Sequence, residues 1–108
     1  MKDKSLNEVQ TEIDGWINQF TESYFPPLSR MAAMTEEVGE VARVLNRMYG
    51  PKKAKNDETI KDLEEELGDV FFTLVCMANA ENIDLTKAYE RKMDKVTKRD
   101  SGRFEKKQ

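Results

Sequence analysis

Apolar side chains recur every three or four residues through most of the chain, which is the spacing of an amphipathic helix. The first such segment starts at Ser5, with Glu8 three residues later as in a capping box. Its apolar positions are Leu6, Val9, Ile13, Trp16, Ile17, Phe20 and Tyr24. The pair Pro26-Pro27 ends this segment and starts the next, because proline fits only the first turn of a helix. The pattern predicts a first helix that continues to about Tyr24.

Three further segments share this helical spacing, and none alternates with the period of two that marks a half-buried strand. The second stops at Gly50-Pro51 and the last starts at Asp84, a good N-cap residue. They span residues 28–49, residues 57 or 58 to 82, and a stretch from residue 84, with a short basic loop at 52–56. We expect an all-α four-helix bundle forming one domain over residues 1–108, with its core at about 5–99 and a polar tail at 100–108.

The run from Val70 to Ala78 is apolar on every side of the third predicted helix. It is too short to span a bilayer. All-round apolarity indicates burial on all faces, which four short helices from one chain could hardly provide. A homodimer or homotetramer with this helix near the interface is therefore expected. The alternative is a monomer that leaves Phe72 partly exposed.

Carboxylates interrupt the apolar face of the second helix, taken at about 100° per residue. Residues around one direction are Leu28, Met31, Val38, Ala42, Leu45 and Tyr49, and the arc is widened by Met34, Val41, Val44 and Met48. Glu37 projects into the widened part, and Glu40 borders it. Glu36 points to the polar face.

The third helix repeats this arrangement. Its inner face is predicted to hold Leu63, Leu67, Val70, Leu74 and Met77. Glu66 falls within that face and Asp69 flanks it. Two acidic pairs with i,i+3 spacing, one on each helix, are thus predicted to point inward.

A carboxylate within a buried arc must be protonated, paired with a cation or bound to metal. Oxygen ligands without histidine suit Mg²⁺, with Mn²⁺ as a possible substitute. Glu37, Glu40, Glu66 and Asp69 are therefore candidate metal ligands. Two other interpretations stay open, a solvated charged surface and neutralisation by arginine. The available guanidinium groups are those of Arg30, Arg43 and Arg91.

Composition narrows the chemistry further. The 108 residues include no histidine, which excludes Ser-His-Asp catalysis and His-ligated zinc, and only one cysteine, Cys76. A single cysteine and no apparent signal peptide suit a cytoplasmic protein. The net charge of -3 makes nucleic acid a poor candidate partner. With no membrane-spanning run either, no nucleic-acid or membrane partner is expected.

Basic residues recur along the fourth helix at Lys92, Lys95 and Arg99. They could simply complement the dipole at a helix C-terminus. Beside a metal site they could instead contact a polyphosphate. The loop residues Lys52, Lys53 and Lys55 are weaker candidates for the same role.

Aromatic side chains offer a possible platform for a nucleobase. The first helix carries Trp16, Phe20 and Tyr24, and their spacing places them in the core. One of them could stack on a base, and Trp16 and Phe20 are the weak candidates.

Two acidic motifs lie on successive predicted helices. Residues 36–40 read EEVGE and match E-E-x-x-E, and residues 66–69 read ELGD and match E-x-x-D. Together they resemble the MazG-like nucleoside triphosphate pyrophosphohydrolases of the all-α NTP pyrophosphatase superfamily. The resemblance extends from about Gln10 to Arg99.

The resemblance implies Mg²⁺-dependent hydrolysis of a (deoxy)nucleoside triphosphate between the α- and β-phosphates. Glu37, Glu40, Glu66 and Asp69 match the metal ligands of the family. Glu36 matches the glutamate that activates the attacking water or holds a further metal.

The basic positions match less fully. Lys95 and Arg99 correspond to phosphate-contacting positions, but Met93 stands where many relatives have asparagine and Val96 where they have phenylalanine. The base and sugar preferred, the number of metal ions and the pathway are not specified by the sequence.

The resulting hypothesis is a house-cleaning or pool-controlling pyrophosphohydrolase with a nucleoside triphosphate as its partner. The alternative is a nucleotide-binding or oligomerisation module with weak or no turnover. A purely structural helical assembly is the third possibility, and it predicts no dependence on metal.

Overall fold

The computed structural model describes residues 2–51 and 59–108. In these residues the secondary structure consists of four helices and no strand. The helices are α1 (Leu6–Ile17), α2 (Pro27–Tyr49), α3 (Ile60–Ala80) and α4 (Leu85–Asp100). The predicted all-α class is therefore confirmed.

The helix starts follow local capping chemistry. Ser5 and Glu8 form the predicted capping box of α1, in which each side chain accepts from the other residue's backbone N–H. Asp84 caps α4 by accepting from the backbone N–H groups of Thr86 and Lys87. Thr59 caps α3, so the helix begins at Ile60. The expected start at residue 57 or 58 and the basic loop at 52–56 lie outside the described residues.

The first helix is shorter than predicted and ends at Ile17 instead of near Tyr24. Asn18 caps its C-terminus, because both its backbone N–H and its side-chain amide donate to the carbonyl of Asp14. A non-helical segment then occupies residues 18–26. A polar cap thus overrides an apolar spacing that continues beyond it.

The third helix ends in a Schellman motif. Asn82 has a positive φ of 57°, which asparagine tolerates better than most residues. The backbone N–H of Ile83 consequently donates to the carbonyl of Ala78 at 2.8 Å, and that of Asn82 to the carbonyl of Asn79 at 3.1 Å. This turn directs the chain from α3 into α4.

The helices pack in a linear sequence of contacts, with α2 on α3, α3 on α1 and α1 on α4. The buried side-chain amide of Gln10 connects α1 to the end of α3 and to the start of α4. Gln10 donates to the side chain of Asn79 and to the carbonyl of Ile83, and its side-chain oxygen accepts from the backbone N–H of Leu85. The acidic motifs lie on α2 and α3, the pair with the most extensive contact.

The interior of a single chain is small. Among the described residues only three apolar side chains are buried, namely Val44, Val75 and Ala78. The Cα radius of gyration is 17.5 Å, against about 13 Å for a compact domain of this length. The four helices therefore do not close around a large core within one chain.

The predicted inner face of α2 is wrong for one chain. Its central direction is exposed at Leu28, Met31, Val38, Ala42, Leu45 and Tyr49. The widened side of the arc, which includes the fully buried Val44, packs on α3 instead. On α3 the predicted inner residues Leu67 and Leu74 are also exposed, because Val75 and Ala78 take the central positions.

Within the described residues, no helix combines the length and apolarity needed to cross a bilayer.

Candidate functional site

A group of three carboxylates lies between α2 and α3. Glu37 on α2 and Glu66 and Asp69 on α3 each place one carboxylate oxygen within 4.8 Å of the others. Glu37 and Glu66 are partly buried, and Asp69 is exposed. The structure thus brings together three of the four predicted ligands.

Burial and mutual repulsion disfavour the charged forms of Glu37 and Glu66. The pKa of Glu37 is raised first by desolvation and then by the charges of Asp69 and Glu66. The pKa of Glu66 is raised by desolvation and by Asp69 and Glu40, and Arg43 opposes this in part. A divalent cation would relieve the repulsion, and an all-oxygen donor set suits Mg²⁺. The residues present therefore fit such an ion.

Glu40, the fourth predicted ligand, lies outside this group of three. Its carboxylate accepts from the Nε of Arg43 at 2.9 Å, and an Nη of Arg43 lies 4.0 Å from Glu66. One arginine thus provides part of the neutralisation that the alternative interpretation required. Arg30 pairs with Glu81 instead, and Arg91 lies on α4.

Glu36 is exposed on α2 beside the three carboxylates. Its charge contributes to the raised pKa of Glu37. It therefore lies at the solvent side of the carboxylate group, as its helical phase predicted.

A cavity of about 130 Å³ opens one helical turn away from the carboxylates. Ala33, four residues before Glu37, and Thr73, four residues after Asp69, both line it. The other lining residues are Ile17, Ser23, Tyr24, Phe25, Arg30, Phe72 and Cys76. An apolar cavity of about 150 Å³ holds benzene, so the volume of this one approaches that of a single aromatic ring.

The sequence matches the MazG nucleotide pyrophosphohydrolase domain over residues 25–104, which includes both acidic motifs and most of the residues lining the cavity. The chain belongs to the MazG nucleotide pyrophosphohydrolase family. This confirms the resemblance that the two motifs indicated.

Individual proteins are similar to this MazG chain over most of its length. YpjD of Bacillus subtilis (strain 168), an uncharacterized protein, is 48% identical over 108 residues, covering 100% of this chain and 97% of YpjD. The crystal structure of Bacillus subtilis YPJD superposes with a TM-score of 0.81 at 50% identity, covering 88% of this chain and 97% of the other. That of the Bacillus-conserved MazG protein, a nucleotide pyrophosphohydrolase, gives 0.80 at 46% identity, covering 93% and 97%.

The predicted phosphate-binding residues of this MazG chain lie on α4, whereas the carboxylates lie on α2 and α3. Lys92, Lys95 and Arg99 are exposed on α4, which packs chiefly against α1. The guanidinium of Arg99 donates to both carboxylate oxygens of Asp100, at 2.8 and 2.9 Å. Their contact with a phosphate stays a prediction.

The aromatic residues near the MazG site differ from the sequence expectation. Trp16 and Phe20 are 54% and 50% exposed, so their expected core packing is wrong. Trp16 makes edge contacts with Phe20 and Phe72, with centroids 5.0 and 6.1 Å apart. Base stacking by these two side chains stays a prediction.

Sequence periodicity did not identify the residues that form the cavity wall. The apolar spacing placed Tyr24 on the first helix, whereas the structure has Tyr24 and Phe25 in the non-helical segment 18–26. Phe72, Thr73 and Cys76 lie within the apolar run, and only Thr73 and Cys76 carry a signal, because helical phase places them beside Asp69. Arg30 carries a usable signal, since it lies seven residues before Glu37 and so on the same helix face.

Tyr24 is expected to ionise only at strongly alkaline pH. Desolvation and donation of its hydroxyl to Asp14 at 2.6 Å raise its pKa to about 12. The folded protein should therefore lose stability as pH rises from 10 towards 12, because the unfolded phenol ionises first. Absorbance at 295 nm should show a late step that Tyr24→Phe removes. A Tyr89→Phe variant that removes the same step would contradict this assignment.

Proposed function

We propose that the chain is a Mg²⁺-dependent pyrophosphohydrolase that cleaves a (deoxy)nucleoside triphosphate between its α- and β-phosphates. The products would be the nucleoside monophosphate and pyrophosphate. The observation that carries the proposal is the convergence of Glu37, Glu66 and Asp69 one turn from a ring-sized cavity. Membership of the MazG family supports the general reaction. A house-cleaning or pool-controlling role follows from such chemistry.

Glu37, Glu66 and Asp69 would hold the Mg²⁺, or Mn²⁺ in its place, with Glu40 available if it releases Arg43. A bound divalent ion neutralises phosphate charge and lowers the pKa of water. Phosphoryl transfer depends mainly on positioning and charge neutralisation, so the lack of histidine is no obstacle.

The other side chains of the chain would orient the reactants. Glu36, which is exposed beside the carboxylate group, would accept a proton from the attacking water. The cavity would receive the base, since Ala33 in its wall is about 6 Å along the helix axis from Glu37. Lys92, Lys95 and Arg99 are the proposed phosphate contacts, with Trp16 and Phe20 as outer stacking residues.

A panel of NTPs and dNTPs with Mg²⁺ tests the activity directly. Release of equal amounts of monophosphate and pyrophosphate, abolished by EDTA and restored by Mg²⁺ or Mn²⁺, is the expected result. Release of orthophosphate would indicate cleavage at another bond and contradict the proposal.

A nucleotide-binding module with weak turnover is the second candidate. The ion pair between Arg43 and Glu40 favours it, because that pair keeps one carboxylate outside the group of three. Metal-dependent nucleotide binding without product release in the same panel would support this function.

We further propose that two copies of the chain assemble through the exposed side of α2. This face, here called the apolar arc, consists of Leu28, Met31, Val38, Ala42, Leu45 and Tyr49, with its five large side chains between 39% and 86% exposed. Soluble monomers rarely expose a contiguous apolar surface of this size. The large radius of gyration indicates that one chain leaves its bundle open. A homodimer, or a homotetramer built from it, would cover the apolar arc.

Light scattering after size exclusion is expected to give at least twice the 12.5 kDa mass of one chain. Val38→Asp should lower the mass towards that of a monomer, because a charge in an apolar interface must be desolvated. Ser29→Asp, on the opposite side of α2, should leave the mass unchanged. A wild-type monomer at tens of micromolar would refute the assembly.

A further inference from the structure

Arg30 is a charged side chain buried in the wall of the cavity, with only 7% of its surface exposed. Its Nε donates to the carbonyl oxygen of Phe25 at 2.8 Å. One Nη donates to the carboxylate of Glu81 at 2.9 Å, and the other lies 3.5 Å from the carbonyl oxygen of Met77. Arg30 thus joins the segment just before its own helix to the C-terminal end of α3, which lies 47 to 51 residues further along the chain.

These three bonds fix the two sides of the cavity relative to each other. Phe25 and its neighbour Tyr24 form the side contributed by the non-helical segment 18–26. Met77 and Glu81 belong to the C-terminal end of α3, where the helix dipole favours a cation. Cys76 lies on the same helical end and lines the cavity. Without Arg30, the described contacts leave the Phe25 carbonyl with no bond to α2 or α3.

The position of Arg30 also separates it from the carboxylates. It precedes Glu37 by seven residues on α2, which is about 10 Å along the helix axis. Its partner is Glu81, whereas Glu40 and Glu66 are approached by Arg43. The substrate's nucleoside, and not its phosphates, is therefore the part of a nucleotide that Arg30 can influence.

We propose that Arg30 is a positioning residue that holds the Tyr24–Phe25 wall so that the cavity accepts the base of the substrate's nucleoside. The inference rests on the proposed nucleotide hydrolysis. The planar fork of arginine matters, because its donors reach a backbone carbonyl and a carboxylate at the same time. Lysine in its place would provide the charge without this geometry.

The kinetic test compares Arg30→Met, Arg30→Lys and Glu81→Gln with wild type. Loss of the bridge should raise KM for the best nucleoside triphosphate by about tenfold or more and change kcat by less than about threefold. The inhibition constant of magnesium tripolyphosphate, which lacks a nucleoside, should stay within about twofold. Lys98→Gln, which breaks the exposed Lys98–Asp94 pair at 3.2 Å, is the matched control and should change none of these values.

Alkylation of Cys76, the single cysteine of the chain, reports on the cavity without turnover. Iodoacetamide should react slowly with the wild type, because burial raises the pKa of this thiol. A non-hydrolysable nucleotide should slow the reaction further. In Arg30→Met the basal rate should rise and the protection by nucleotide should be lost. Far-ultraviolet circular dichroism identifies a variant that does not fold, and then Arg30→Lys and Glu81→Gln carry the test.

The outcomes separate this inference from the proposed function. One outcome would overturn only the role of Arg30. In it the wild type is active, and the Arg30 variants show the same KM and the same protection of Cys76 as the wild type. An equal rise in KM and in the tripolyphosphate inhibition constant would also overturn it. An inactive wild type whose Cys76 is protected by nucleotide only when Arg30 is present would refute hydrolysis and support the positioning role. No hydrolysis and no protection would overturn both.

Discussion

Asp69→Asn is expected to reduce nucleoside triphosphate hydrolysis by at least about a hundredfold. Loss of a residue that only supports a metal ligand typically costs ten- to a hundredfold, so loss of a ligand itself should cost more. Asparagine keeps the size of the side chain and removes the negative charge that attracts a divalent cation. Asp69 is exposed, and its described bond with Thr73 involves its backbone carbonyl and not its side chain. The helix should therefore stay intact in Asp69→Asn. Pyrophosphate release at saturating Mg²⁺ measures the effect.

Glu64→Gln provides the matched control for Asp69→Asn. Glu64 is an exposed carboxylate on the same helix, and it lies outside the group of three. Glu64→Gln removes one negative charge, as Asp69→Asn does, so a loss of activity caused by the change in net charge would appear in both variants. Glu40→Gln should lose activity too, but less, because Glu40 already pairs with Arg43. Wild-type activity in Asp69→Asn would contradict the site assignment.

Local sequence signals were sufficient for most helix boundaries. Ser5 and Asp84 were predicted as N-caps, and both caps form because they depend on residues within one turn. The predicted end of α1 failed at Asn18, where a side chain competes for a helical carbonyl. Apolar spacing alone cannot report such a competition, because it records only which side chains could be buried.

Helical phase was less informative about packing between helices. It placed Glu37 and Glu66 on apolar faces, and these two carboxylates do come together with Asp69. It could not decide which side of the wide arc on α2 meets α3, since both sides are apolar. Val44 is fully buried, whereas Val38 is half exposed. To choose between the Val44 side and the Val38 side, one must know what covers the side that does not pack on α3.

The cavity depends on residues that have no periodicity. Its wall combines Phe25 from a non-helical segment with Arg30 and Thr73 from two helices. The position of that segment is set by tertiary bonds, such as those of Arg30 and Tyr24. Sequence spacing describes one helix at a time, so a site built across a segment and two helices escapes it.

Glu37→Gln is expected to stabilise the metal-free protein and to remove its stabilisation by divalent ions. The pKa of Glu37 is raised above its ordinary value of 4.5, chiefly by desolvation and then by Asp69 and Glu66. A raised carboxylate pKa means that its contribution to stability is present below pH 4.5 and lost as pH rises through the folded-state value. At neutral pH the charge of Glu37 therefore opposes folding, and glutamine removes this repulsion.

In the presence of a divalent ion, Glu37→Gln should instead be at a disadvantage, because it should gain less stability from the ion than the wild type does. An ion that binds only the folded state stabilises it by about 2.7 kcal/mol at a hundredfold excess over Kd. For a domain of this size, Tm should rise by on the order of 10 °C. Calorimetry at fixed protein concentration measures both effects. Each variant is measured with EDTA, with Mg²⁺ and with Mn²⁺, at pH 5 and at pH 8. Glu64→Gln again serves as the control. The wild type should gain more from the metal at pH 8, because protons compete for the carboxylates at pH 5. If Mg²⁺ raised the Tm of Glu37→Gln as much as that of wild type, the ion would bind elsewhere, and the carboxylate group would lose its proposed role.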